Sequence, residues 1–188
     1  GLKFTVGDRD LYAHQLVRMV HQGNRLGHTI AIFAEDGQQL ANVNVSVHGT
    51  QPGSYAYAWC GTKAWGEWKT VPLLLQAGKT YYLASQEQQG RAADSFSGSE
   101  TEVTSVAGLT VLAAVSAPYN SRALVTQWQA VPGSRSFGPL NMILTDRVLT
   151  TADGRVGVPP DNSASIVRGR RGEGFDLEIG RASCRERV

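Results

Sequence analysis

The stretch Ala41-Asn42-Val43-Asn44-Val45-Ser46-Val47-His48 decides the fold class of this chain. Apolar residues occupy every second position and polar residues lie between them, which is the period of a strand with one buried and one solvated face. A second apolar stretch, Thr29 to Ala34, comes shortly before it. Between the two, Asp36 and Gly37 supply the backbone conformations that a tight hairpin turn requires. We therefore predict a β-hairpin at this point.

Short strands and turns follow one another along the first three quarters of the chain. Clusters of Gly, Pro, Asn and Ser bound each apolar segment, and no segment has the 3.6-residue period of an amphipathic helix. Further strands are predicted at Leu2 to Val6, Asp10 to Val20, Ser54 to Trp59, Thr70 to Leu75, Thr80 to Glu87, Leu109 to Val115, Leu124 to Gln129 and Leu140 to Leu144. Because each sheet must bury its one apolar face, we predict an all-β fold, an antiparallel two-sheet β-sandwich of jelly-roll type.

The composition excludes two classes of protein. The 188 residues carry 18 Lys and Arg against 16 Asp and Glu, and this net charge of +2 is too small for a general nucleic-acid binder. Apolar runs are short and interrupted, well below the roughly 20 residues that a membrane-spanning helix needs. We therefore expect neither nucleic acid nor a membrane as a partner.

The character of the sequence changes from Thr145 onward, where turn formers and charges replace the alternating pattern. We predict a sandwich domain over 1–145 and a linker, or the truncated start of a second domain, over 146–178. Residues 179–188 resemble the translation of a common sequencing adapter; the alternative is an ordinary basic tail. Without the three Arg and one Glu of this tail, 15 charges of each sign remain. Cys60 is then the single Cys, which excludes an intrachain disulfide and a Cys-based zinc site.

Several blocks within the first 145 residues resemble a recurring bacterial module. They are Phe4-Thr5-Val6-Gly7, Leu16-Val17-Arg18, Gly23-Asn24, His28-Thr29-Ile30, Asp36-Gly37, Leu73 to Leu83, Ser85-Gln86-Glu87, Asp94 and Phe137 to Asn141. Modules of this kind are jelly-roll accessory domains, resembling carbohydrate-binding modules, that are appended to secreted glycoside hydrolases and cell-surface proteins. The resemblance implies a noncatalytic role within a longer, multidomain protein that is secreted or displayed at the cell surface. The segment Cys60 to Lys69 departs from the module and has the character of an insertion in a hairpin loop.

Aromatic residues are concentrated around this insertion. Three of the four tryptophans, Trp59, Trp65 and Trp68, fall within ten residues, directly after Tyr55 and Tyr57. Flat aromatic rings are good stacking surfaces for the apolar C–H faces of sugars, so these five residues are candidates for binding a polysaccharide or glycan. Two other interpretations stay open: the rings cap one end of the sandwich core, or they form a protein interface.

A second set of candidates consists of Asn24, Glu87 and Asp94, whose side-chain oxygens are suited to Ca²⁺, the one cofactor that the sequence suggests. His28 fits such a site poorly. It shares a strand face with Ile30, so its imidazole is expected to point inward and to hydrogen-bond a buried partner, for which Glu87 is the candidate. A structural polar pair is therefore the alternative to a metal site.

No catalytic motif stands out in the sequence. A Gly-x-Ser-x-Gly elbow and His pairs at metal-ligand spacing are both missing. Glu87 and Asp94 are separated by a loop with no sign of the apolar pocket that raises the pKa of a catalytic acid. Cys60 has no neighbour that would lower its thiol pKa, which indicates a bystander thiol. The sequence therefore predicts a noncatalytic module that binds carbohydrate or, alternatively, a structural spacer or protein-interaction module without a sugar ligand.

Overall fold

The computed structural model describes residues 1–20, 22–52, 54–60, 62–64, 67–69, 71–87, 101–103, 108–118, 127–130, 140–148 and 167–169. These residues form fourteen strands and no helix. The strands are β1 (Leu2–Val6), β2 (Leu11–Met19), β3 (His28–Ala34), β4 (Gln39–Val45), β5 (Tyr55–Trp59), β6 (Thr62–Ala64), β7 (Glu67–Lys69), β8 (Leu73–Leu75), β9 (Thr80–Ser85), β10 (Thr101–Val103), β11 (Leu109–Ser116), β12 (Gln129–Ala130), β13 (Leu140–Thr145) and β14 (Val167–Gly169). Since these ranges hold no helix, they hold none long and apolar enough to cross a membrane.

Two antiparallel sheets build the fold. The large sheet has six strands in the order β12-β11-β1-β9-β3-β4, and the small sheet has the order β13-β2-β5 with β8 also paired to β2. The prediction of an all-β, two-sheet sandwich is confirmed. Its jelly-roll connectivity stays a prediction.

The core lies between the sheets and contains the inward positions of both. The large sheet contributes Leu2, Phe4, Val6, Ile30, Ile32, Val43, Val45, Tyr81, Leu83 and Leu109; the small sheet contributes Leu11, Ala13, Leu16, Ala56, Leu75, Leu140, Met142 and Leu144. Strand β1 alternates strictly between buried and half-buried positions. This alternation is what the sequence pattern predicts, since burial of these apolar side chains is the main force that holds the sheets together.

Most predicted strands are present with shifted ends. Strand β1 has the predicted bounds, whereas β4 begins two residues earlier than predicted and ends at Val45. Val47 is nevertheless buried, so the apolar face of the opening stretch continues past the end of the ladder. Of the strand predicted at Thr70 to Leu75, Thr70 lies outside the described residues, Val71 and Pro72 are not in a strand, and Leu73–Leu75 pairs with β2. Of the strand predicted at Leu124 to Gln129, residues 124–126 lie outside the described residues, and β12 begins at Gln129.

The hairpin between β3 and β4 is confirmed. The Gly37 N–H donates to the Ala34 carbonyl at 3.0 Å, and the Ala34 N–H donates to the Gln38 carbonyl at 2.8 Å. Gly37 has a φ of 87°, a left-handed conformation that glycine adopts without steric cost. The Asp36 carboxylate accepts a hydrogen bond from the Gln38 N–H and fixes the turn further.

Strands β5 and β8 lie along the same edge of β2, one after the other. Strand β5 pairs with Gln15 to Met19, and β8 pairs with Leu11 to Ala13. The β6–β7 hairpin leaves the sheet between them, at the segment that the sequence predicts to be an insertion. Strands β6 and β7 have three residues each and are too short to be recognised from the alternation of apolar and polar residues.

In the stretch predicted to be a linker, β14 pairs with β10. Residues 179–188 lie outside the described residues.

His14 occupies a bulge in β2 at the point where β5 ends. Ile143 of β13 pairs with Gln15, and the next residue, Leu144, pairs with Ala13, so His14 has no pairing partner in β13. The ring is 1% exposed, and Nε2 lies 2.7 Å from Thr145 Oγ1, which itself donates to the Arg147 carbonyl. Because that hydroxyl proton is engaged, His14 Nε2–H is the donor. Within the described residues Nδ1 has no hydrogen-bond partner, and burial lowers the pKa of His14 from 6.5.

We expect acid to destabilise the fold through His14. A histidine with a lowered folded-state pKa contributes stability above pH 6.5, and this contribution is lost as the pH falls toward the folded-state pKa. Denaturant unfolding at about pH 7 and about pH 5 should give a smaller pH dependence for His14→Gln than for the wild-type protein. His48→Gln, at an exposed position, is the matched control. An unchanged pH dependence in His14→Gln would contradict the assignment.

Candidate functional site

Three aromatic side chains form a row on the outer face of β5. Tyr55, Tyr57 and Trp59 alternate with Ala56, which is 5% exposed, and with Ala58, which packs against the core. Tyr57 is 59% exposed, while Tyr55 and Trp59 are half-buried. We call these three residues the β5 aromatic row. The structure therefore places three of the five residues predicted to bind carbohydrate on one surface of one strand.

The row is supported by the neighbouring strand β2. Tyr55 lies opposite Met19, Tyr57 opposite Val17 and Trp59 opposite Gln15. All three β2 residues are nearly buried, with exposures of 9%, 6% and 5%. Side chains in such a ladder are constrained by their cross-strand partners, so the aromatic rings stand on a fixed base. Burial also raises the pKa of the Tyr55 phenol, which keeps the hydroxyl protonated and able to donate a hydrogen bond at neutral pH.

The other two predicted stacking residues follow in the insertion. Trp65 lies outside the described residues, and only the backbone of Trp68, in β7, is described. Whether their rings extend the β5 aromatic row therefore stays a prediction.

The residues of the second predicted set meet around a buried arginine. Arg18, on β2, is 0% exposed. Its Nε and Nη2 donate to the two carboxylate oxygens of Glu87 at 3.2 and 3.0 Å, and its Nη1 donates to Asn24 Oδ1 at 3.0 Å. Ser85 Oγ donates to the same carboxylate at 2.7 Å. We call these four residues together with His28 the Arg18 network.

His28 has the predicted orientation. It is 3% exposed, and its Nδ1 lies 3.5 Å from Glu87 Oε2 and 3.3 Å from the Gln86 carbonyl oxygen. The prediction of an inward imidazole next to Glu87 is confirmed. The central partner, Arg18, was not predicted from the sequence. The signal was present, because Arg18 has the same strand parity as Leu16, and a charge at an inward position needs a buried counter-charge.

For the predicted calcium ligands, the structure gives a different partner. Asn24 and Glu87 both accept hydrogen bonds from the Arg18 guanidinium, while Asp94 lies outside the described residues. No three His, Cys, Asp or Glu side chains are grouped for metal binding in the described ranges. A guanidinium is a permanent cation, and it supplies the positive charge that these two oxygen donors face.

Cys60 lies at the end of β5 and is buried, with 1% exposure. Burial raises its thiol pKa to about 12. The thiolate is the reactive form, so Cys60 is chemically inert at neutral pH, in agreement with the sequence-based interpretation.

A further aromatic cluster, which we call the Trp128 cluster, covers the outer face of the large sheet and was not predicted from the sequence. The Trp128 indole stacks on the Tyr82 ring at 4.6 Å with an interplanar angle of 5°, and it meets Phe33 edge-on at 5.4 Å and 67°. Ala31 and Val115 complete the buried base. The signal lies in β3, which is apolar on both faces, whereas a strand with one solvated face is expected to alternate.

No family model, curated protein sequence or solved structure matches this chain. The features that bear on function are therefore the β5 aromatic row, the Arg18 network and the Trp128 cluster.

Loss of the Glu87 charge should destabilise the protein strongly. In Glu87→Gln the buried guanidinium keeps its charge and loses its counter-ion, which costs on the order of 3 kcal/mol in the free energy of unfolding. The double variant Arg18→Met/Glu87→Met removes both charges and should recover part of this loss. Glu35→Gln is the control, since the exposed Lys3–Glu35 pair contributes no more than about 1 kcal/mol. Urea denaturation measures all three, and equal effects of the two single variants would refute the argument.

Calcium should have no effect on stability through Asn24 and Glu87. The Arg18 guanidinium already bonds both side chains, and a second cation there would be repelled. Melting curves with excess CaCl₂ and with excess EDTA are expected to coincide. A rise in the melting temperature with Ca²⁺ that Asn24→Ala abolishes would show instead that the site binds the ion.

Proposed function

We propose that this chain is a noncatalytic accessory module that binds a polysaccharide through the β5 aromatic row. The observation that carries the proposal is the exposed ring of Tyr57 between Tyr55 and Trp59 on a single strand face. The resemblance described for the first 145 residues supports a place in a longer bacterial protein that is secreted or displayed at the cell surface.

The geometry of a strand suits an extended glycan chain. Residues two apart on a strand are separated by about 7 Å, so the rings succeed one another along a line rather than around a pocket. Each ring presents an apolar face on which the axial hydrogens of a pyranose can stack. The hydroxyl groups at the edge of the sugar then stay in contact with water. A line of rings therefore favours a polymer over a single monosaccharide.

The expected affinity is low. A stacked ring contributes on the order of 1 kcal/mol beyond the area that it buries. Two or three such contacts, less the cost of ordering the glycan, give weak binding by one module. Weak binding is sufficient for a domain that keeps a larger protein near an insoluble substrate, since attachment at several points multiplies the effect.

A specific observation favours the alternative function, a structural spacer or protein-interaction module. Tyr55 and Trp59 are half-buried, and their cross-strand partners Met19 and Gln15 are nearly buried. Rings in this position also cover the outer face of the small sheet. Tyr57 distinguishes the two functions. Its exposed ring adds little to the stability of the sheet, so its removal should matter only if the ring contacts a sugar.

Tyr57→Ala should therefore weaken binding and leave folding unchanged. We expect the wild-type protein to be retained on at least one of cellulose, xylan, chitin, mannan and β-1,3-glucan, and Tyr57→Ala to lose about fivefold in affinity. Tyr57→Phe keeps the ring and should bind as the wild type does. Leu112→Ala, which truncates an exposed apolar residue of the large sheet, is the matched control. A folded wild-type protein that none of the five polymers retains would favour the spacer function.

A further inference from the structure

We propose that Trp128 forms a second stacking site, for a neutral pyranose ring, on the outer face of the large sheet. One face of its indole lies against Tyr82, with the two rings nearly parallel. The side chain is half-buried rather than enclosed, so part of the indole surface outside its contacts with Tyr82 and Phe33 is open to solvent. The site is independent of the β5 aromatic row, which belongs to the other sheet.

The ring is held in place before any ligand arrives. Tyr82 stacks against one of its faces, and Phe33 meets its plane at 67°. These two residues are a cross-strand pair between β9 and β3, so their own positions are fixed by the ladder. A preorganised platform loses little entropy when a ligand binds, which is the condition under which a single stacking contact becomes useful.

The indole N–H indicates that covering the sheet is not the whole role of Trp128. Among the described residues, Trp128 Nε1 is buried without a hydrogen-bond acceptor. A buried donor left unpaired costs about 1–3 kcal/mol, a cost that a Phe side chain would avoid while burying less apolar surface. Contact between a ligand and the solvent-exposed part of the indole gives a reason for the larger ring despite its unpaired donor.

Polar groups of both signs lie next to the residues under Trp128, because Lys3 is the cross-strand partner of Tyr82 and Asn42 that of Ala31. Lys3 Nζ lies 5.6 Å from the centroid of the Tyr82 ring and 3.8 Å from Glu35 Oε1. On the other side, the exposed Asn42 lies opposite Ala31, which belongs to the base under Trp128. An ammonium, a carboxylate and an amide together donate to and accept from hydroxyl groups. Because the ammonium and the carboxylate balance each other, this rim matches a neutral sugar rather than a charged ligand.

The decisive experiment measures binding in the Tyr57→Ala background, where the β5 aromatic row is impaired. The probes are cellohexaose, xylohexaose, chitohexaose, mannohexaose and laminarihexaose, titrated by calorimetry. We expect residual binding of at least one of them, and we expect Trp128→Phe and Asn42→Ala each to reduce it by at least about twofold. Asn42→Ala leaves the aromatic cluster intact and keeps the test valid if Trp128→Phe does not fold.

Trp128→Phe also has a second readout. Its free energy of unfolding should fall by less than the lost ring contacts alone would cost, since the unpaired donor is removed as well, while its affinity falls. A variant whose binding is unchanged, together with unchanged binding of Asn42→Ala, would overturn the proposal.

The outcomes separate this site from the β5 aromatic row. If Tyr57→Ala abolishes all binding in an otherwise wild-type chain, the Trp128 site is refuted and the proposed function stands. If Tyr57→Ala binds as tightly as the wild type and Trp128→Phe binds more weakly, binding at the β5 aromatic row is refuted and the Trp128 site stands. Absence of binding by the wild-type protein overturns both, and Trp128 then covers the sheet or contacts a protein.

Discussion

The ion pair between Arg18 and Glu87 is the polar constraint that joins the two sheets at a fixed point. Arg18 belongs to the small sheet, whereas Glu87 follows the last residue of β9 in the large sheet. A fully buried guanidinium is stable only where its counter-charge and hydrogen-bond acceptors are all in place. Each of its contacts therefore fixes one segment relative to another, and the side chains of Asn24, Ser85 and His28 converge on the same point. Apolar burial drives the sheets together, and this pair adds a directional contact between them.

The strands and the core could be predicted from the sequence because their signal is local. The alternation around Val43 and Val45, the turn at Gly37 and the inward position of His28 follow from neighbours within a few residues. The contact between His28 and Glu87 could also be predicted, because only a few polar residues interrupt the apolar strands.

What sequence alone could not supply depends on contacts between distant segments. Arg18 and Glu87 are 69 positions apart, and Trp128 meets Tyr82 across another large separation. No periodic pattern encodes such a contact. For the same reason the five aromatic residues near the insertion could be identified as a group but not as a surface. That Tyr55, Tyr57 and Trp59 share a face follows from strand parity, while their support by β2 follows only from the register.

The bulge at His14 has a consequence for the evolution of the molecule. It marks the seam at which the edge of β2 changes partner from β5 to β8, and the β6–β7 hairpin emerges there. Both flanking strands are anchored separately, so the length and composition of the hairpin are decoupled from the register of the sheet. Lengthening a surface loop costs little free energy. At this seam one surface loop can therefore be exchanged for another while the pairing of the flanking strands is kept.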